Sequence, residues 1–281
     1  MRIPKSSQFM LLSVSFVAFI GLGVRLLRHI PTTEILFFNS LVPLVASFTT
    51  LRYHRISVWG KHRKLLLARG IVGTLSVALY FFTLQHTSLP SAVTLHYTAP
   101  VFAALIGIFM LKEPVSSQQW LCFGLSFAGV TLINGFSLTE VSWYIVSGLA
   151  GAFFKGLASV IVSKIEHKEH PLVVTFYAYL VTIPLAGTYL LRNFVALQAR
   201  DWLVIGTISV LGHMAHYYTV KAYQLGPAAS VSATSYIAIV YALLFGYLFL
   251  EESLPHLKLL GVCLVLLGVL LNLFYQNKKA A

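Results

Sequence analysis

Two stretches decide the fold of this chain: residues 102–115, FAALIGIFMLKEPV, and residues 240–253, VYALLFGYLFLEES. Each is a long apolar run that closes on a glutamate, Glu113 in the first and Glu251 in the second. The two glutamates are 138 residues apart (251 − 113). The same shift aligns two further pairs of identical residues, Asn134 with Asn272 and Tyr80 with Tyr218. The chain therefore contains an internal repeat, and each copy occupies about half of it.

The rest of the chain is similarly apolar. Of its 281 residues, 58% are hydrophobic and 10% are charged, and the mean hydropathy is +0.81. Soluble domains carry about 25% charged residues, so the composition indicates a chain embedded in lipid. A membrane-spanning helix needs about 20 largely apolar residues. Ten such runs can be placed, at 8–26, 33–52, 65–86, 90–111, 116–136, 142–164, 171–191, 201–225, 228–250 and 255–275.

The basic residues predict the orientation in the membrane. The net charge is +12, and lysine and arginine concentrate in cytoplasmic loops. With the N-terminus inside, twelve of them lie in cytoplasmic segments, five lie outside and three lie within helices. We therefore expect a multi-pass protein of the inner (cytoplasmic) membrane with both termini in the cytoplasm. The expected partners are the lipid bilayer and a small-molecule substrate, with no nucleic acid, and a homodimer is left open.

Each copy of the repeat holds five predicted spans, residues 1–136 in the first and 142–275 in the second, followed by a cytoplasmic tail, 276–281. Because five is odd, the second copy enters the membrane inverted relative to the first. Inverted repeats are typical of secondary transporters, which hold the substrate at the repeat interface near the midplane. The predicted fold is an all-α membrane protein with ten transmembrane helices, arranged as two inverted five-helix repeats around a central cavity.

Two blocks of the sequence resemble a known family. Residues 65–133 and 212–271 are similar to the first and second EamA-type repeats of the drug/metabolite transporter superfamily. The shared features are the helix that ends in glutamate, the small residues before it and the glycine-containing helix after it. The resemblance implies a secondary transporter of a small polar metabolite, such as an amino acid or an S-adenosylmethionine-like compound. It also implies that the third, fourth, eighth and ninth spans wall the cavity.

Lys155 lies near the middle of the sixth predicted span, in SGLAGAFFKGLASVIVS. An unpaired cation at that depth costs about 2.5–3.5 kcal/mol. Most residues on its helical face are small, which suits a cavity wall or a close helix contact. We interpret Lys155 as a charge that faces the substrate. The alternatives are a structural lysine held by carbonyls and hydroxyls and a lysine that snorkels to the membrane surface. Its equivalent in the first copy is Val17 (155 − 138), so only one half supplies this charge.

The eighth predicted span carries a polar stripe. At about 100° per residue its members fall within a sector of about 140°: Gly206, Ser209, His213, His216, Tyr217, Lys221 and Gln224. A polar stripe on a membrane helix is expected to face protein or water, so we predict that it lines the cavity; the alternative is hydrogen bonding to neighbouring helices. For Lys221 the alternative is snorkelling to the membrane surface. His213 and His216 have no third ligand at metal-binding spacing, so no metal site is predicted.

Two further helix faces suit a cavity wall. His96 in the fourth span shares a face with small residues, and its equivalent in the second copy is Thr234 (96 + 138). In the ninth span Ser230, Thr234 and Tyr241 share a face. For His96 the alternative is a hydrogen-bonded buried histidine without contact to substrate. Three tyrosines are further candidates, although aromatic residues also fill membrane packing: Tyr80, Tyr97 and Tyr236.

Carboxylates are absent from the middle of every predicted span, and Glu34 lies at the outer end of the second. The predicted cavity is therefore positive and rich in hydroxyls, which favours a substrate with at least one carboxylate or other anionic group. Arg69, at the start of the third span, is predicted to snorkel towards the basic loop.

Two other functional classes remain as alternatives to a transporter. A lipid or lipid-carrier flippase would need a lateral opening and a long apolar groove, and an intramembrane enzyme would need an acidic or Ser/His cluster at one interface. Walker A, GxSxG and HExxH motifs are missing from the sequence, which argues against a primary pump and several hydrolases. No cofactor is indicated. Cys122 and Cys263 lie in apolar runs and are expected to be reduced packing residues.

Overall fold

A computed structural model of the chain describes residues 4–112, 115–134, 143–165, 168–190, 194–228, 231, 234–251 and 256–280. The regular elements in these ranges are all helices. They are α1 (Lys5–Leu26), α2 (Thr32–Tyr53), α3 (Arg63–His86), α4 (Leu89–His96), α5 (Ala99–Met110), α6 (Ser117–Asn134), α7 (Trp143–Ile165), α8 (Pro171–Leu190), α9 (Ala199–Leu225), α10 (Ile237–Leu250) and α11 (His256–Ala280). The predicted all-α class is confirmed.

Among the described residues, six helical stretches are long and apolar enough to cross a bilayer: α1, α2, α3, the run Leu89–Met110 through α4 and α5, α7, and Pro171–Thr188 of α8. A helix satisfies all of its interior backbone groups within itself, which the hydrocarbon core requires. The outer surface of the bundle is apolar: Phe109, Trp143 and Leu203 are 82%, 82% and 74% exposed. Side chains of this kind are suited to contact with lipid.

The fourth predicted span is interrupted. The sequence predicts one helix over 90–111, whereas α4 ends at His96 and α5 begins at Ala99, with a turn at Tyr97 and Thr98 between them. Pro100 lacks the N–H that would bond to the carbonyl of His96, which explains the break.

A second turn stands at the equivalent place in the other half. It is formed by Ser235 and Tyr236, just before α10, and Ser235 lies 138 residues after Tyr97 (235 − 97). This turn forms without a proline, since Ala238 stands where the first half has Pro100.

The helix contacts recur between the two halves. In the repeat, α1 corresponds to α7, α3 to α9 and α5 to α10. The contact between α1 and α9 is therefore equivalent to the contact between α7 and α3, and the contact between α1 and α10 is equivalent to that between α7 and α5. α2 packs against α8, and α6 packs against α11. Small residues allow close approach: a Cβ at Gly156 of α7 would lie 2.9 Å from the backbone nitrogen of Ala103 in α5.

Glu169, which is 6% exposed, makes hydrogen bonds to two other segments of the chain at one end of the bundle. The backbone N–H groups of Lys61 and His62 donate to its Oε1 at 2.5 and 2.6 Å. Its own carbonyl accepts from Nε2 of Gln224 at 2.8 Å. Gly60 precedes these donors with φ +60°, a conformation that favours glycine. The loop between α2 and α3 is thereby joined to the start of α8 and the end of α9.

Candidate functional site

A central cavity of about 210 Å³ lies between α1, α2, α3, α4, α7, α8 and α9. Its walls are largely apolar, but they include two cations, Lys155 and Arg69, and two histidines, His96 and His216. Among the residues that the structure describes, no aspartate or glutamate lines it. The volume is below the about 300–1,000 Å³ of pockets that hold drug-sized ligands, so the cavity suits a small, anionic or polar molecule.

Lys155 lies against an aromatic ring. Its Nζ is 3.6 Å from the centroid of the Tyr97 ring, a cation–π contact of the kind worth up to about 2 kcal/mol when desolvated. In the described ranges, no carboxylate lies within 4.0 Å of this ammonium group. Ser159, one turn later, donates to the Lys155 carbonyl at 2.8 Å. The tyrosine ring orients the ammonium and leaves its charge without a formal counter-ion.

His96 and Tyr80 complete this side of the cavity. Their rings stack with centroids 4.0 Å apart, and the ring of Tyr97 meets His96 edge-on at 5.8 Å. The structure thus brings four of the predicted site residues together: Lys155, His96, Tyr80 and Tyr97.

Arg69 corrects the sequence-based expectation. Instead of snorkelling to the membrane surface, it is 7% exposed and lines the central cavity. Its Nη2 donates to Nε2 of His216 at 2.7 Å. A Cβ at Gly73 would collide with its Nη1, so the guanidinium lies along α3 in the direction of the following turn.

The bond to Arg69 fixes the tautomer of His216. Arginine can only donate hydrogen bonds, so Nε2 of His216 must accept and the ring proton resides on Nδ1. From there it donates to Oγ1 of Thr175 at 3.2 Å. Thr175 donates in turn to the carbonyl of Pro171 at 2.9 Å. This chain of donors and acceptors is consistent only with a neutral His216.

Three buried polar atoms at the cavity have no hydrogen-bond partner among the described residues. They are Nε of Arg69, Nδ1 of His96 and Oδ1 of Asn39, and all three residues line the cavity. Buried polar groups are nearly always paired with protein or water. The hydrogen-bonding capacity of these three atoms is therefore unused among the described residues.

Equivalent residues of the two halves line the same cavity. Val17 and Lys155 form one such pair, separated by 138 residues (155 − 17). The other pairs at this separation include Ile20 with Ala158, Ser40 with Ala178, Thr74 with Gly212, Val77 with Ala215, Phe81 with Thr219 and Tyr97 with Ser235. Equivalent positions of the two halves therefore form the walls, but only the second half has a cation at the position of Lys155.

A second cavity, of about 600 Å³, lies beside the first. It is lined by Thr50, His54, Ile56, His170, Leu172, His213, Met214, Tyr217 and Tyr218. The polar stripe predicted on one helix is therefore divided, because His213 and Tyr217 face this second cavity while His216 faces the central one. Burial lowers the pKa of His170, and charges at His54 and Lys221 lower it further.

The remaining predicted site residues that the structure describes do not line the central cavity. Lys221 lies over the ring of Phe9, with Nζ 4.5 Å from its centroid. Thr234 is fully buried, and Tyr236 is 1% exposed with no partner for its hydroxyl among the described residues. The Tyr241 hydroxyl accepts from Ser15 at 3.2 Å. Ser230 lies outside the described residues.

Several cavity residues were missed from sequence. Asn39 and Tyr179 carry no periodic signal that marks them. For Arg69 the signal was available: a charge six residues into α3, followed one turn later by Gly73, which leaves room for a long side chain.

Residues 5–135 and 142–274 each match the model of the EamA-like transporter family. The resemblance found in the sequence is therefore confirmed over nearly the whole chain.

Among curated proteins, the pseudopaline exporter of Pseudomonas aeruginosa is 28% identical over 244 residues, 85% of each chain. The S-adenosylmethionine uptake transporter of Rickettsia felis is 20% identical over 249 residues, 87% of this chain and 82% of the relative. A protein of known crystal structure shares the fold with a TM-score of 0.80 at 15% identity, covering 98% of this chain and 99% of the other.

Proposed function

The chain belongs to the EamA-like transporter family, and we propose that it is a secondary transporter of a small carboxylate-bearing metabolite, such as an amino acid or an S-adenosylmethionine-like compound. Family membership makes it a multi-pass membrane transporter and not an enzyme, as the sequence predicted. The cargo is inferred from the site.

The observation that carries the proposal is Lys155 in a cavity whose described walls hold no carboxylate. Two unit charges about 4 Å apart attract by about 4 kcal/mol at an effective dielectric constant of 20. A substrate carboxylate would supply the counter-ion that the protein does not. The rings of Tyr97 and Tyr80 offer an apolar surface for the rest of such a molecule.

The repeat supports alternating access to one site. We propose that residues 1–136 and 142–275 are inverted five-helix repeats, giving ten spans, with 276–281 as a tail. The recurring helix contacts, the paired cavity residues and the turns at equivalent positions all support this arrangement. Substrate sites at the interface of inverted repeats, beside discontinuous helices, recur in secondary transporters.

We also propose that the chain lies in the inner (cytoplasmic) membrane with both termini in the cytoplasm. The support is the excess of basic residues in the segments assigned to that side. The second cavity, with His213 and Tyr217, would then open towards the cytoplasmic end of α9 and extend the path of the substrate.

The named relatives support a small-molecule cargo, and they differ in the direction of transport. One is named an exporter and the other an uptake transporter. The cavity of about 210 Å³ favours cargo of amino-acid size in this conformation.

The test is transport by the purified protein in proteoliposomes. Radiolabelled amino acids and S-adenosylmethionine would be offered to wild type, to Lys155→Gln and to the matched control Lys164→Gln, an exposed lysine on the same helix. Loss of a hydrogen bond to a charged group costs about 1.5–3 kcal/mol, so Lys155→Gln should reduce transport about tenfold or more while Lys164→Gln retains it. Equal transport by wild type and Lys155→Gln would refute the proposed site.

A further inference from the structure

We propose that Arg69 forms a second anion subsite in the central cavity, so that the substrate carries two carboxylates, one for Lys155 and one for Arg69. The inference rests on the proposed transport function and specifies its substrate class as a small dicarboxylate.

Arg69 is a buried cation with unused donors. A guanidinium has five N–H donors and is always charged. The structure shows one of them donating to His216, and Nε lacks a partner among the described residues. Within those residues, no carboxylate lies within 4.0 Å of Arg69. A permanent charge buried at membrane depth is costly unless it is paired, and a substrate in the cavity could supply the counter-charge.

The direction of the side chain is specified by the sequence. Helical side chains lean towards the N-terminus of their helix, which for Arg69 would mean the basic end of α3. The guanidinium instead lies beside Gly73, one turn further along, in space that any Cβ at that position would occupy. Gly73 therefore permits Arg69 to reach into the cavity.

His216 positions the guanidinium. As a neutral acceptor, held through Thr175, it binds one Nη2 donor without neutralising the charge. The planar fork of arginine matches a carboxylate through two parallel hydrogen bonds. A carboxylate of the protein at this position would neutralise the guanidinium and leave no charge for a substrate. The neutral His216 leaves the charge of Arg69 unneutralised.

Lys155 and Arg69 line one cavity from different helices, α7 and α3, which pack against each other. A substrate with one acidic group would neutralise only one of these cations. A dicarboxylate would neutralise both, and the aromatic and aliphatic walls between them would contact the carbon chain that joins its two acids.

The test compares binding of succinate, glutarate and adipate with binding of butyrate, which has one carboxylate, by calorimetry on the detergent-purified full chain. We expect at least one dicarboxylate to bind about tenfold or more tightly than butyrate. Arg69→Gln should remove that advantage, so that dicarboxylates and butyrate bind with similar affinity. The matched control is Arg63→Gln, at the exposed start of the same helix, which should behave as wild type.

Two further variants separate site geometry from folding. Gly73→Ala keeps the charge but displaces the guanidinium, and it should weaken dicarboxylate binding more than butyrate binding. Arg69→Lys keeps the charge without the planar fork and should give an intermediate affinity. If wild type binds dicarboxylates no better than butyrate, or if Arg69→Gln weakens both equally, the second subsite is refuted. Lys155-dependent butyrate binding in that case would leave the proposed function standing, whereas no binding of any carboxylate would refute both.

Discussion

Lys155 and Val17 occupy equivalent positions of the two sequence repeats and line the same cavity, one with a cation and the other with an apolar side chain. Two equivalent positions of the cavity wall could therefore hold a cation, and only position 155 does.

This relationship predicts that the charge can be moved. Lys155→Val should abolish carboxylate uptake, and adding Val17→Lys to that variant should restore a measurable part of it, because the ammonium would enter the same cavity from the opposite wall. The measurement is uptake into proteoliposomes, with Lys155→Val/Val17→Met as the control for side-chain size. Restoration by methionine would mean that volume rather than charge is responsible.

The contact between Lys155 and Tyr97 predicts a requirement for a ring at position 97. Tyr97→Phe keeps the aromatic face and should leave transport within about twofold of wild type. Tyr97→Leu removes a cation–π contact of about 0.5–2 kcal/mol, so the KM for uptake should rise roughly two- to thirtyfold. Tyr53→Leu, at a position that is 84% exposed, serves as the control. The cation–π role is excluded if leucine performs as well as phenylalanine.

Glu169 is expected to stabilise the protein without touching the central cavity. Glu169→Ala removes the acceptor of two backbone N–H groups and should lower the free energy of unfolding by about 2–4 kcal/mol. Gly60→Ala should also destabilise, since its φ is +60° and a Cβ would lie 2.9 Å from Oε2 of Glu169. The readout is thermal unfolding in detergent, with Lys168→Ala, an exposed neighbour, as the control. A melting temperature for Glu169→Ala equal to that of Lys168→Ala would contradict this role.

The proposed orientation predicts the outcome of reporter fusions. A green fluorescent protein fused after residue 281 should fluoresce, because both termini are proposed to be cytoplasmic. Alkaline phosphatase fused after Arg28, in the first external loop of the proposed topology, should be active, and the same enzyme fused after Lys61 should be inactive. The reverse pattern would place the termini outside.

The positions of the helices could be predicted from sequence because backbone groups in the hydrocarbon core must hydrogen-bond to each other, and a helix satisfies this requirement. In the described ranges, α1–α3 and α6–α9 begin within three residues of their predicted starts. Lys155 and His96 were identified because each stands out among small residues on its own helix. Local patterns were sufficient for both.

Gly73 indicated room for the Arg69 side chain, but the contacts of Arg69 could not be predicted, because they depend on other helices. Its partner His216 is on α9, and Thr175, which holds that histidine, is on α8. The division of the α9 stripe between two cavities has the same origin. The turn at Tyr97 had a local signal in Pro100, but the turn at Ser235 had none.

The interruption between α4 and α5 has a mechanical consequence. A continuous helix across the bilayer is a stiff rod, whereas two short rods joined at Tyr97 and Thr98 bend at their junction. The rods are attached differently, since α4 packs against both α10 and α7, and α5 packs mainly against α7. Bending of this span is thus concentrated beside Lys155, in the plane where the substrate is proposed to bind.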